Sequence, residues 1–135
     1  MQPTGNIRSY HVIVDAAPET VYDVVTDLNN LPRWAFHFAK AVKVEHKGAT
    51  VTTARGDAYF GTTGDRDLGV IDWWSGPTME TAERWPTRIV ALPDGRALYT
   101  VTALLQDEVP PAIDDWFAEE LGALKRLAEE QLVSP

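Results

Sequence analysis

The feature that most constrains this chain is its last twenty-odd residues. Pro110-Pro111 opens the segment, and Ile113, Trp116, Phe117, Glu120, Leu121, Leu124, Leu127, Ala128 and Gln131 then recur at helical spacing on one broad face. Glu119, Lys125, Glu129 and Glu130 lie around the other side. The pattern predicts a helix from about Pro111 to Val133, roughly 30 Å long at 1.5 Å per residue. A helix with one wide apolar stripe is stable only where that stripe covers something, and a sheet is the natural partner.

The rest of the chain supplies the sheet. Ile7 to Asp15 reads as a first strand, stopped by Ala16-Ala17-Pro18. Pro18 suits the first turn of a helix, where its missing N–H costs nothing, and Val21, Tyr22, Val24, Val25 and Leu28 carry that helix to about Asp27. Asn29-Asn30 ends it, and Leu31-Pro32-Arg33-Trp34 forms a second short helix or turn. Six strands follow: Ala39 to His46, Ala49 to Arg55, Ala58 to about Thr63, Leu68 to Trp74, Met79 to Leu92, and Arg96 to Leu105. Lys47-Gly48, Gly56-Asp57, Gly64 to Asp67, Ser75-Gly76-Pro77 and Pro93-Asp94-Gly95 are the turns between them. Pro86, inside the long fifth run, predicts a bulge or an edge position. Sequential hairpins imply an antiparallel sheet, and strands segregated from helices imply the α+β class.

Length and composition fit one domain over residues 1–135. The chain is 44% hydrophobic, enough for a real core, and it has no cysteine, which excludes a disulfide scaffold and thiol chemistry. Twelve basic residues are scattered among twenty acidic ones, for a formal charge of −8. Nucleic acid and anionic membrane are poor partners for such a surface. No stretch approaches the roughly 20 apolar residues of a membrane span, and the N-terminus lacks a basic start and an apolar signal core, so a cytoplasmic location is expected.

The sequence resembles the helix-grip superfamily called SRPBCC or START-like. The residues that carry the resemblance are Val12-Ile13-Val14-Asp15-Ala16-Ala17-Pro18-Glu19-Thr20-Val21-Tyr22-Asp23-Val24-Val25-Thr26-Asp27, followed by Leu31-Pro32-Arg33-Trp34. Leu68 to Trp73, Arg88-Ile89-Val90 before Pro93-Asp94-Gly95, and Leu121 to Leu127 also match. In pattern the chain is most similar to the polyketide cyclase/dehydrase-like members. The resemblance implies a curved seven-stranded antiparallel sheet wrapped on the long C-terminal helix, with two short helices after the first strand. It also implies a cavity between sheet and helix that binds, carries or cyclises hydrophobic molecules.

No run carries a strong catalytic signature. Gly61-Thr62-Thr63-Gly64 lacks the lysine and the helix of a phosphate loop, and His11, His37 and His46 lack metal-ligand spacing, so neither metal nor cofactor is expected. His37, among Trp34, Phe36 and Phe38, sits where the helix-grip layout puts one mouth of the cavity. An imidazole there suits general acid–base work near neutral pH, unless it tips outward while Phe36 and Phe38 fill the core. Asp72 interrupts the apolar run Val70 to Trp74. Facing inward it is a base or ligand anchor with a perturbed pKa; facing outward it leaves Ile71 and Trp73 as the core side. Glu83 and Arg84 occupy opposite faces, so one turns inward, Glu83 as a base or Arg84 as a bidentate anion holder, or else an outer ion pair holds them.

The candidate catalytic set is therefore His37, Asp72 and Glu83. The candidate ligand wall is Trp34, Phe36, Tyr59, Trp74, Arg84, Tyr99, Trp116 and Glu120. Trp73 and Trp74 are adjacent, so one faces each side of the sheet. An outward indole points to a ligand surface or a subunit contact and leaves room for a homodimer. Three functions fit these residues: a cofactor-independent cyclase or dehydratase acting on an aromatic or polyketide-like molecule, a non-catalytic lipid or metabolite carrier, or a protein-interaction module of the kind the superfamily uses on chaperones and ribosomes. An outward apolar patch around Trp73 or Trp74 would favour the third.

Overall fold

The structure is a computed structural model that describes residues 6–105 and 109–130. Strand β1 (Ile7–Val14) leads into helix α1 (Pro18–Thr26), a 3-10 turn (Leu28–Asn30) and helix α2 (Leu31–Trp34). Strands β2 (Ala41–Glu45), β3 (Gly48–Thr53), β4 (Gly56–Asp65), β5 (Val70–Gly76), β6 (Glu83–Ala91) and β7 (Ala97–Leu104) follow, then helix α3 (Ile113–Glu130). The seven strands form one curved antiparallel sheet in the order β1-β7-β6-β5-β4-β3-β2. The α+β helix-grip architecture expected from the sequence is the one observed.

Local chemistry sets the boundaries. Pro18 opens α1, and the Asp27 carboxylate accepts the Asn29 N–H (3.1 Å), which starts the 3-10 turn. β5 begins two residues later than the apolar run because Asp65 accepts the Leu68 N–H (3.1 Å) and Gly69 takes a φ of +66°. That glycine lies against the Ile89 backbone, its carbonyl accepting the Ile89 N–H (2.8 Å), so a Cβ there would collide with β6. β6 starts at Glu83 and not at Met79, because Thr78 and Thr81 exchange backbone and hydroxyl hydrogen bonds in a turn of their own. Gln131 and Val133, expected to end the last helix, lie outside the described residues.

Pro86 meets the expectation of an edge in an unexpected way. β6 is an inner strand, but residues 83–86 pair only with β5; pairing with β7 begins at Thr87 with Val101. The ladder to β7 thus ends next to the residue that has no N–H to give it.

Strand alternation divides the sheet into two faces. Tyr99 and Val101 of β7, Thr87 and Ile89 of β6, Ile71 and Trp73 of β5, Phe60 of β4 and Val51 of β3 are buried on the inner face. Glu120, Leu121, Ala123, Leu124, Leu127 and Ala128 of α3 bury against that face and against α1 and α2. The outer face carries charge and scattered apolar residues such as Ile13 and Val90. Among the described residues, no helix is long and apolar enough to cross a membrane.

Candidate functional site

A cavity of about 320 Å³ lies between the N-terminal half of α3 and the inner face of the sheet. Leu31, Trp34 and Ala35 of the α2 region, Phe60, Trp73 and Trp85 of the sheet, and Ile113, Trp116, Phe117 and Leu121 of the α3 segment make most of its wall apolar. The polar side chains on it are His37, Arg55, Ser75, Tyr99 and Glu120.

Glu120 is the most unusual of these. It is only 7% exposed, on the apolar stripe of α3. Its Oε2 accepts the backbone N–H of His37 (2.9 Å) and of Phe38 (3.2 Å), in the stretch between α2 and β2. That stretch turns tightly, with Phe38 and Ala39 both donating to the Ala35 carbonyl, so the His37 N–H has no local acceptor and takes one from α3. Burial raises the Glu120 pKa above the ordinary carboxyl value, and the two N–H bonds oppose part of that rise. Oε1 has no hydrogen bond to a described residue.

His37 stands beside it. Its Nε2 lies 3.1 Å from Glu119 Oε2, and its ring lies between Phe36 (centroids 4.5 Å) and Trp116 (5.6 Å, planes 24° apart). The imidazole is thus held by aromatics and by a partly exposed carboxylate, at the wall of the cavity.

The aromatic floor is a second cluster. Trp73 Nε1 donates to the Tyr99 hydroxyl (3.3 Å), and Trp34 packs edge-on to Tyr99 and tilted to Trp73, both at 6.3 Å. Complete burial pushes the Tyr99 phenol well above its usual pKa, so it stays neutral and can only share a proton, not surrender it. Trp34 Nε1 is buried without a partner among the described residues.

Trp34, His37, Tyr99, Trp116 and Glu120 therefore lie together on the cavity wall. Phe36 does not reach it and backs the His37 ring. Four expected residues point away. Asp72, Trp74 and Arg84 are on the outer face: Arg84 lies over the Trp74 indole (5.0 Å) and 3.7 Å from Asp72, and Trp74 Nε1 donates to Thr63 (3.0 Å). The physical reason is parity: Trp73 takes the inner side, so both its neighbours must face out. Tyr59 is also outer, its ring lying over Gly48 and Gly61 and its hydroxyl donating to the Lys47 carbonyl (3.0 Å). Glu83 shares the parity of Trp85 but sits exposed at the start of β6, off the cavity wall.

Reading the strands alone missed Trp85, Ser75 and Arg55. Trp85 shares its face with Thr87 and Ile89, a signal that was available in the alternation. Arg55 sits at a hairpin tip, where no periodicity reports direction. Glu120 could have been ranked higher, since a carboxylate within an apolar helical stripe must be buried or paired. No group of three or more His, Cys, Asp or Glu among the described residues could hold a metal ion.

A curved antiparallel sheet gripping one long helix over an apolar cavity defines a START-like protein of the helix-grip superfamily. Residues 8–91 match the family described as polyketide cyclase / dehydrase and lipid transport, and the chain belongs to that family. Among solved structures it is similar to the Zhui aromatase/cyclase from Streptomyces sp. R1128 (TM-score 0.67, 16% identity, 93% of this chain and 94% of that one). It is also similar to a START superfamily protein from Mycobacterium smegmatis (TM-score 0.64, 17% identity, 94% and 99% covered). XoxI from Bacillus cereus is a third such neighbour (TM-score 0.67, 11% identity, 93% and 96% covered). At these identities the likeness concerns the fold. No curated protein matches the sequence.

Proposed function

We propose that this protein binds a small hydrophobic molecule, aromatic or polyketide-like, in the cavity under α3, and that Glu120 and His37 assist its cyclisation or dehydration by acid–base chemistry. The observation that carries the reading is the buried Glu120 carboxyl, with one oxygen anchored by two backbone N–H groups and the other without a hydrogen bond to a described residue. A buried carboxyl with a raised pKa holds its proton to higher pH than a free one, which suits it to donate that proton. In an apolar pocket shaped by Trp34, Trp73 and Trp116, much of the acceleration would come from holding a flexible substrate in a near-attack shape.

One observation favours a carrier instead. Glu120 and His37 already have structural duties, holding the α2–β2 connection to α3. The outward-patch reading loses its main support, because the one outward indole, Trp74, is covered by Arg84.

The test has two stages. N-phenyl-1-naphthylamine, a neutral aromatic dye, should bind the parent, and Ser75→Trp, which fills the cavity from β5, should weaken that binding at least about tenfold with the fold intact. No dye binding, or binding indifferent to Ser75→Trp, rejects the pocket. Native mass spectrometry of protein from its own source would then identify a retained ligand. Conversion of that ligand by the parent and not by Glu120→Gln makes the protein an enzyme; no conversion by either makes it a carrier.

A further inference from the structure

The cavity wall carries a single Lys or Arg side chain, Arg55. It projects from the tip of the β3–β4 hairpin, where its backbone N–H donates to Thr53 Oγ1 (3.1 Å). That hydroxyl in turn donates to the Gly56 carbonyl (2.7 Å), and Gly56 adopts a φ of +111° that favours glycine. The tip that presents Arg55 is thus tied by its own hydrogen bonds. Its guanidinium has no ion-pair partner among the described residues, whereas Arg8, Arg66, Arg84 and Arg96 each meet an aspartate. In a chain with a formal charge of −8, an arginine on an apolar cavity wall without such a partner is available to a ligand.

The same wall carries the Glu120 carboxyl. Ionised, it repels an anion; protonated, it offers one O–H to a neutral acceptor. An anionic group on a bound molecule is therefore favoured beside Arg55 and disfavoured beside Glu120. We infer that the cavity takes an amphipathic organic anion, an aromatic or polycyclic carboxylate or sulfonate, with its charged group against Arg55 and its uncharged polar end toward Glu120. This rests on the cavity-binding reading above and adds to it both the ligand's charge and its orientation.

Two dyes with a common anilinonaphthalene body separate the two claims. 1-Anilinonaphthalene-8-sulfonate carries the anion, and N-phenyl-1-naphthylamine does not. Arg55→Gln should weaken the sulfonate about fivefold, the size expected of one partly exposed charge contact, and leave the neutral dye unchanged. Arg55→Lys should retain most of the sulfonate affinity, and added salt should erode the difference between parent and Arg55→Gln. Arg126→Gln removes the same charge from an exposed site off the cavity and should move neither dye. Neutral-dye binding together with sulfonate binding indifferent to Arg55→Gln, or equally weakened by Arg126→Gln, overturns the anion inference alone. Failure of both dyes to bind overturns the cavity reading on which it stands.

Discussion

Glu120 and Asp72 are both carboxylates set among apolar neighbours in the sequence, and the structure gives them opposite surroundings. Glu120 lies under α3, hydrogen-bonded to two backbone N–H groups and shifted upward in pKa by burial. Asp72 lies on the far side of the sheet, in a loose pair with Arg84 beside a half-covered indole. The difference teaches that a polar residue in an apolar run is informative only once its face is known. On a helix the 3.6-residue period fixes the face from many neighbours at once; on a strand it is one binary choice.

Three measurements would break or sharpen that contrast. The largest effect is expected where the two faces of β5 are compared through adjacent residues. Trp73→Ala should cost about 3–5 kcal/mol in urea denaturation, because it empties the inner core and strips the Tyr99 hydroxyl of its donor. Trp74→Ala should cost less than about 1.5 kcal/mol, since it loses one hydrogen bond and a partly exposed cation–π contact. Equal losses would mean that β5 is not divided into a core side and a wet side.

Next comes the carboxylate pair itself. Glu120→Ala leaves the His37 and Phe38 N–H groups short of an acceptor and should cost about 2–4 kcal/mol. Asp72→Ala should cost less than about 1 kcal/mol, since its ion pair with Arg84 is loose, at 3.7 Å, and partly open to solvent. A large Asp72 effect would show that the outer cluster supports the fold.

The smallest expected effect is a pH dependence. The folded Glu120 carboxyl titrates above the roughly 4.3 of an unfolded Glu. Between those two values the native state binds more protons than the unfolded state, so this group's contribution to stability is full below the unfolded value and is lost as pH rises through the folded one. Glu120→Gln keeps an oxygen for the two N–H groups and removes the titration. Its Tm relative to the parent should therefore improve as pH rises from about 4 through the folded carboxyl's titration. A constant difference would mean that the carboxyl is better solvated than its position under α3 implies.

The sheet and its helices were legible because each boundary has its own chemistry: Pro18 at the start of α1, Gly48, Gly56 and Gly95 in hairpin turns, and the long stripe of α3. The site was legible only in part. Trp34, His37, Trp116 and Glu120 come from helices or the turn that follows them, and Tyr99 from a strand where Tyr99, Val101 and Ala103 alternate with Thr100 and Thr102. The sequence leaves the face of Asp72 open and puts Tyr59 on the ligand wall, because the strands holding them offer a plausible aromatic to either face. What settled Tyr59 was not its own character but Gly61, which leaves room on the outer side for its ring.

Helix α3 is fastened to the β1 segment at both ends. Asp114 accepts from Tyr10 (2.7 Å) and Arg8 (3.0 Å), Phe117 stacks on Tyr10 with centroids 4.2 Å apart, and Glu129 accepts the Asp15 N–H (2.7 Å). A beam clamped at two supports resists bending more than one clamped at a single end. The helix and β1 therefore make one braced side of the chamber, which faces a side built from other elements. That side holds α2, the His37 turn and the β3–β4 hairpin, and beyond the clamps it is joined to α3 through Glu119 and Glu120. The chamber is thus bounded by one wall clamped at two points and by another tied to the same helix through two adjacent carboxylates.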